Sequence, residues 1–157
     1  MANLAMTRGG VAVKALANAI MINQSQEVGL LRGWLTLWHQ PAASPAPMAW
    51  MSDASTGMAG MSMSLPAGST AMPGMASAGE MASLTTKTGT AFDVLFLQLM
   101  IRHHEGGIEM AQYARAHAKL AAVRTAAQAM AFAQIEDLAQ MRPLLAADGG
   151  KELPPPS

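Results

Sequence analysis

Residues 13–35 and 123–145 are one helix written twice. Val13-Lys-Ala-Leu-Ala-Asn-Ala-Ile-Met-Ile-Asn-Gln-Ser-Gln-Glu-Val-Gly-Leu-Leu-Arg-Gly-Trp-Leu35 lies without gaps on the segment from Val123 to Leu145, at a constant offset of 110. Val13/Val123, Ala17/Ala127, Ala19/Ala129, Gln24/Gln134, Arg32/Arg142 and Leu35/Leu145 are identical pairs, and Lys14/Arg124, Ile20/Met130, Glu27/Asp137 and Leu31/Met141 exchange like for like. Each copy keeps a glutamine, an acid three residues on and an apolar residue four further along, which is the spacing of one helical stripe. Allowing a one-residue gap, Met1-Ala-Asn-Leu-Ala also lies on Met110-Ala-Gln-Tyr-Ala. A repeat of this length points to a duplicated helical hairpin of which residues 1–40 hold only the second half. The expected first half would carry its own histidine pair, with an export signal before it.

Composition agrees with helices. Alanine and methionine dominate, 51% of residues are hydrophobic and 13% charged, and few are β-branched or aromatic enough to build a sheet. The net charge of zero implies neither nucleic acid nor an anionic membrane as partner. No apolar run is long enough for a transmembrane helix, and the first residues lack the pattern of a signal peptide. The absence of cysteine excludes disulfides, thiolate zinc sites and iron–sulfur clusters. Fifteen methionines against no cysteine is unusual, and suits soft-metal handling in an oxidising compartment, where thioethers cannot form disulfides.

The periodicity predicts helices over 11–38, 88–118 and 121–146. Thr88 or Thr90 is expected to cap the second, and Pro143 to kink or end the third. Residues 41–87, rich in Ala, Ser, Gly, Pro and Met, read as a flexible linker, 88–147 as one complete repeat, and 148–157 as a disordered tail. The short link between the last two helices predicts an antiparallel pair. Three amphipathic helices leave an apolar face uncovered, so either a homo-oligomer or the missing N-terminal helix is expected to complete the bundle.

The chemistry gathers on the 88–118 helix. At 100° per residue Asp93, Phe96, Met100, His103, His104, Gly107 and Met110 share one face. Two imidazoles with thioethers at Met100 and Met110 suit Cu(I) far better than a hard cation. Glycines 106 and 107 are each about 1 kcal/mol worse than alanine inside a helix, which predicts that another backbone or a ligand approaches beside the histidines. A second donor set lies in the linker, where Met58, Met61, Met63, Met72 and Met75 stand two or three residues apart within each cluster; a mobile chain with that spacing can wrap Cu(I) in three sulfurs. Core packing for the helix methionines and a plain spacer for the linker ones are the competing readings. Gln24, Glu27, Gln134 and Asp137 read as a buried hydrogen-bonded layer rather than as catalysts. His117 reads as a favourable charge at a helix end.

Asp93-x-x-Phe96-x-x-x-Met100-Ile-x-His103-His104-x-x-Gly-Ile108-x-Met110-Ala111, followed by Gln134-x-x-Asp137-Leu-x-x-Met141-x-x-Leu144, resembles the ferritin-like family called domain of unknown function 305. The resemblance covers 88–146 as a full unit and 1–38 as half of another. It implies an all-α, ferritin-like helical bundle, a periplasmic or cell-envelope location, and a metal-binding role of which copper binding is an example in the family. The chain departs from the pattern in Asp137, where glutamate is usual, in Pro143, and in lacking the first His-His helix.

Three functions are open at this point: a copper-binding or buffering protein without turnover, a structural assembly module without metal, and a ferritin-like di-iron oxidase. The last needs Glu-x-x-His motifs on two helices. None occurs here, so no enzyme activity is expected.

Overall fold

The structure, a computed structural model, describes residues 1–43 and 72–154. Five helices follow in chain order: α1 (Ala2–Arg8), α2 (Val11–Leu37), α3 (Ala78–Thr86), α4 (Gly89–His117) and α5 (Ala121–Ala147). The fold is all-α, with no strand among the described residues.

α4 is the central element. Phe92, Phe96, Leu97, Leu99, Met100, Ile101 and His104 are all buried, so the helix is covered around most of its circumference between residues 92 and 104. α5 packs along it antiparallel, as the short 118–120 connection requires, placing Gln134 beside Gly107 and Asp137 beside His104. Leu138, Met141 and Leu145 form the inward stripe of α5, while α1 and the first half of α2 add Ala5, Val13, Leu16, Ala17 and Ile20 to the same core. Gly10, between α1 and α2, donates its backbone N–H to both carboxylate oxygens of Asp93 at 3.0 and 3.1 Å. Asp93 thereby places a negative charge at the N-terminus of α2, where the exposed N–H groups favour it.

Three departures from the sequence expectations have clear physical causes. Residues 1–8, covered only by the repeat alignment, form α1. Residues 78–86, read as the end of a flexible linker, form α3. There Ser77 caps the helix through a reciprocal bond with Glu80, Glu80 reaches Arg102 of α4 at 2.7 Å, and Leu84 is fully buried. α5 runs through Pro143 to Ala147, as the helix expected over 121–146 has it, with the proline in its last turns. Ala139, whose carbonyl would have bonded the missing N–H, lies on the exposed side and can bond water. Residues 148–154, expected to be a disordered tail, fold back: Gln98 donates to the Lys151 carbonyl at 2.7 Å, Glu152 pairs with Arg142 at 2.9 Å, and Leu153 packs on the core.

Candidate metal centre

The two neighbouring histidines have opposite fates. His104 is fully buried and both ring nitrogens are engaged: Nδ1 donates to the Met100 carbonyl at 2.9 Å, and Nε2 lies 3.1 Å from Asp137 Oδ2. A carbonyl only accepts, so Nδ1 carries a proton. The Nε2–carboxylate contact then needs a second proton, so the pair is an imidazolium with a carboxylate or a neutral imidazole with a carboxylic acid. In either form His104 has no free lone pair for a metal in this arrangement. It locks α4 to α5.

His103 is the available one. Its ring is 6.1 Å from that of His104 and tilted away by 57°. Nδ1 is buried and has no hydrogen-bond partner. Burial, reinforced by His104 and by the positive chain terminus, lowers its pKa below the usual 6.5, so the ring is neutral at neutral pH. An unpartnered, neutral imidazole nitrogen in a desolvated site is a donor awaiting an acceptor.

His103 and Met100 line a cavity of about 540 Å³ together with Met1, Met21 and Gln24. Among the described residues no carboxylate lines it, and Arg32 is the only charged side chain that does. Met1 and Met21 were not singled out in the sequence, because α1 and the middle of α2 meet α4 only through the tertiary fold. Of the other sequence candidates, Met110 lies half-buried further along α4 and does not line this cavity. Met72 and Met75 are 41% and 50% exposed and stand outside it as well. Met58, Met61 and Met63 lie outside the described residues.

Gly106 meets another backbone as the sequence predicts, whereas Gly107 meets a side chain. The Pro73 carbonyl lies where a Cβ on Gly106 would stand, and Gln134 Oε1 where one on Gly107 would stand. Gly74, at φ +77°, presses on the Arg102 carbonyl. The Met72-Pro-Gly-Met75 turn is thus seated against the backbone of the histidine helix. Its thioethers are not among the groups that line the cavity with His103.

Asp137 and Glu27 lie near His104, and further polar side chains lie along α4 and α5. Glu27 of α2 has its pKa raised by burial and by the nearby Asp137 charge. Glu109 is raised by burial and by Glu105, and its Oε2, like Gln134 Oε1, is buried without a partner. The expected hydrogen-bonded layer is therefore realised at Asp137 and left open at Gln134. Among the described residues, no three His, Asp or Glu side chains converge on a point that could hold a metal ion. His117 stacks on Tyr113 with ring centroids 4.2 Å apart, in the last turn of α4.

The family model described as "Domain of unknown function (DUF305)" matches residues 1–145. A crystal structure of a DUF305 protein from Streptomyces coelicolor, inferred to be secreted, superposes with a TM-score of 0.81 at 32% identity, covering 97% of this chain and 83% of that one. A DUF305 fragment from Deinococcus radiodurans superposes with a TM-score of 0.72 at 25% identity, covering 93% of this chain and 83% of that one. No curated protein matches the chain. No helix of the described residues is long and apolar enough to cross a membrane.

Proposed function

The chain belongs to the DUF305 family, and we propose that it binds a soft metal ion, Cu(I) foremost, as a buffering or resistance protein of the cell envelope without turnover. The observation that carries this reading is that His103, whose Nδ1 is buried and unpartnered, lines a cavity together with Met100, Met21 and Met1. One neutral nitrogen and up to three thioethers, with no carboxylate among the described residues, form a donor set that favours Cu(I) over Mg²⁺ or Ca²⁺. The envelope location is supported by the inferred secretion of the Streptomyces relative.

The ligand set differs from the sequence expectation. His103, Met100, Met21 and Met1 replace the group of His103, His104, Met100 and Met110, because His104 is committed to Asp137. The methionines at 58, 61, 63, 72 and 75 form a separate, weaker donor set in this proposal. The di-iron reading loses support, since Asp137 and His104 satisfy each other and Glu27 brings no third ligand to a common point. The metal-free assembly module keeps one observation in its favour, the exposed apolar residues of α2.

Anaerobic titration of Cu(I) against a chromophoric chelator separates these readings. His103→Ala weakens binding roughly tenfold or more, while joint replacement of Met58, Met61, Met63, Met72 and Met75 removes only a weaker class of sites. Equal Cu(I) affinity of the parent and His103→Ala proteins overturns the proposal and leaves the assembly module.

A further inference from the structure

We propose that Gly74 and Gly106 are positioning residues for His103. Through them the Met72–Met75 turn seats on α4, holds the imidazole to its cavity and is coupled to metal binding there. The inference rests on the reading of His103 as a ligand and adds what controls it.

The turn reaches the helix because both partners lack a side chain at the point of contact. The Met75 N–H donates to the Met72 carbonyl at 3.2 Å, which closes the turn. Gly74 takes φ +77°, a conformation that residues with a Cβ rarely adopt. A Cβ there would stand 3.0 Å from the His103 Cα and closer still to the Arg102 carbonyl, and a Cβ on Gly106 would meet the Pro73 carbonyl. Backbone therefore lies on backbone at residues 102, 103 and 106. Pro73 and Gly74 are buried in this contact, although Met72 and Met75 on either side are exposed.

A helix leaves a histidine two staggered χ1 positions, since the third drives the ring into the preceding turn. The seated turn occupies one flank of the His103 Cα, and His103 lines the cavity with Met100, Met21 and Gln24, a cavity that no residue of the turn lines. Holding the ring there before a ligand arrives removes part of the ordering cost of binding. A metal held by His103 fixes the same stretch of α4 in return, and linkage makes the two effects equal. The strap formed by the turn and α3 is built to open at this end. Leu84 anchors its far end in the core, and Ser77 and Glu80 cap α3 within the strap itself. Its near end is held to α4 by the glycine contact and by the ion pair from Glu80 to Arg102, the residue beside His103. Opening of that end leaves the core undisturbed.

Hydrogen exchange over residues 74–86 of the full chain, followed by mass spectrometry with and without saturating anaerobic Cu(I), tests the coupling beside chelator titrations of Cu(I). Cu(I) is expected to slow exchange of the strap in the parent and not in His103→Ala, a comparison that stands even where a glycine variant fails to fold. Gly106→Ala makes α4 a better helix former, and Gly74→Ala leaves its sequence untouched. Each is expected to speed strap exchange and to weaken Cu(I) binding roughly fivefold, and the two together no further, because both break one contact. Strap exchange that ignores Cu(I), in a parent whose binding depends on His103, overturns the coupling and leaves the ligand assignment standing. So do glycine variants that open the strap yet bind Cu(I) like the parent, or that leave the strap closed. Protection that persists in His103→Ala places the metal on the strap's own thioethers and overturns it as well. Equal Cu(I) affinity of the parent and His103→Ala removes the ligand itself, and the coupling falls with it.

Discussion

At the scale of residues, His103 and His104 show what adjacency in sequence leaves undecided. Both fall on the helical stripe that the spacing defines, and both read as ligands there. A rotation of 100° sends one ring to Asp137 and the other into a cavity, and only the packing of α5 and α2 determines which. Glycines 106 and 107 were legible, because a glycine pair inside an apolar helix has few explanations besides close approach. The identity of what approaches, Pro73 and Gln134, was not. Removing Asp137 leaves a fully buried imidazole with an unpaired nitrogen. Asp137→Ala therefore lowers unfolding stability by about 3 kcal/mol, measurable by urea denaturation. Glu27 acts in the opposite sense. Its folded-state pKa is raised above 4.5, so its favourable contribution is complete below that pH and is lost as pH rises through the folded value. Glu27→Gln accordingly raises Tm at pH 7, and the gain disappears below about pH 4.5. A Tm shift independent of pH would contradict this account of Glu27.

At the scale of elements, the three long helices were legible from periodicity within a residue or two of their ends, and the repeat alignment reached α1. α3 was hidden by its surroundings. Ser77-Ala-Gly-Glu80 is a capping-box signature, but it stands in a stretch whose Gly, Ser and Pro content reads as linker. The burial of Leu84 and the Arg102 pairing, both tertiary, stabilise the helix that the cap starts. Ser77→Ala destabilises α3 by about 1 kcal/mol, which hydrogen exchange over residues 78–86 detects as faster opening. Arg102 and the Ser77 groups hold the Glu80 pKa down to about 2 against its usual 4.5. Its contribution is present above pH 4.5 and is lost as pH falls towards 2, so α3 exchange accelerates over that acid range. The refolded tail at 148–154 had no comparable local signal, since its anchors, Gln98 and Arg142, are distant in sequence.

At the scale of the whole molecule, the core is centred on α4 and the second half of α2 is a bare flank. Stability is distributed accordingly. Val13, Leu16, Ala17 and Ile20 are buried, and Val28, Leu30, Leu31 and Leu37 are exposed, so α2 is anchored at one end only. Amide exchange is expected to be slow over 13–20 and fast over 22–37. Uniform protection along α2 would contradict the bare-flank description. The proposed metal binding belongs to this scale too, because the residues proposed as donors come from α2, α4 and the residue preceding α1. The lowered pKa of His103 keeps the ring unprotonated through neutral pH. Affinity therefore stays level above the usual imidazole value of 6.5 and falls as acid begins to protonate Nδ1 below it. The most direct measurement is X-ray absorption at the copper edge of the Cu(I)-loaded protein, taken beside the His103→Ala variant. The account predicts nitrogen and sulfur scatterers in the same coordination shell, with the nitrogen lost in the variant. A shell of sulfur alone, unchanged by His103→Ala, would contradict it.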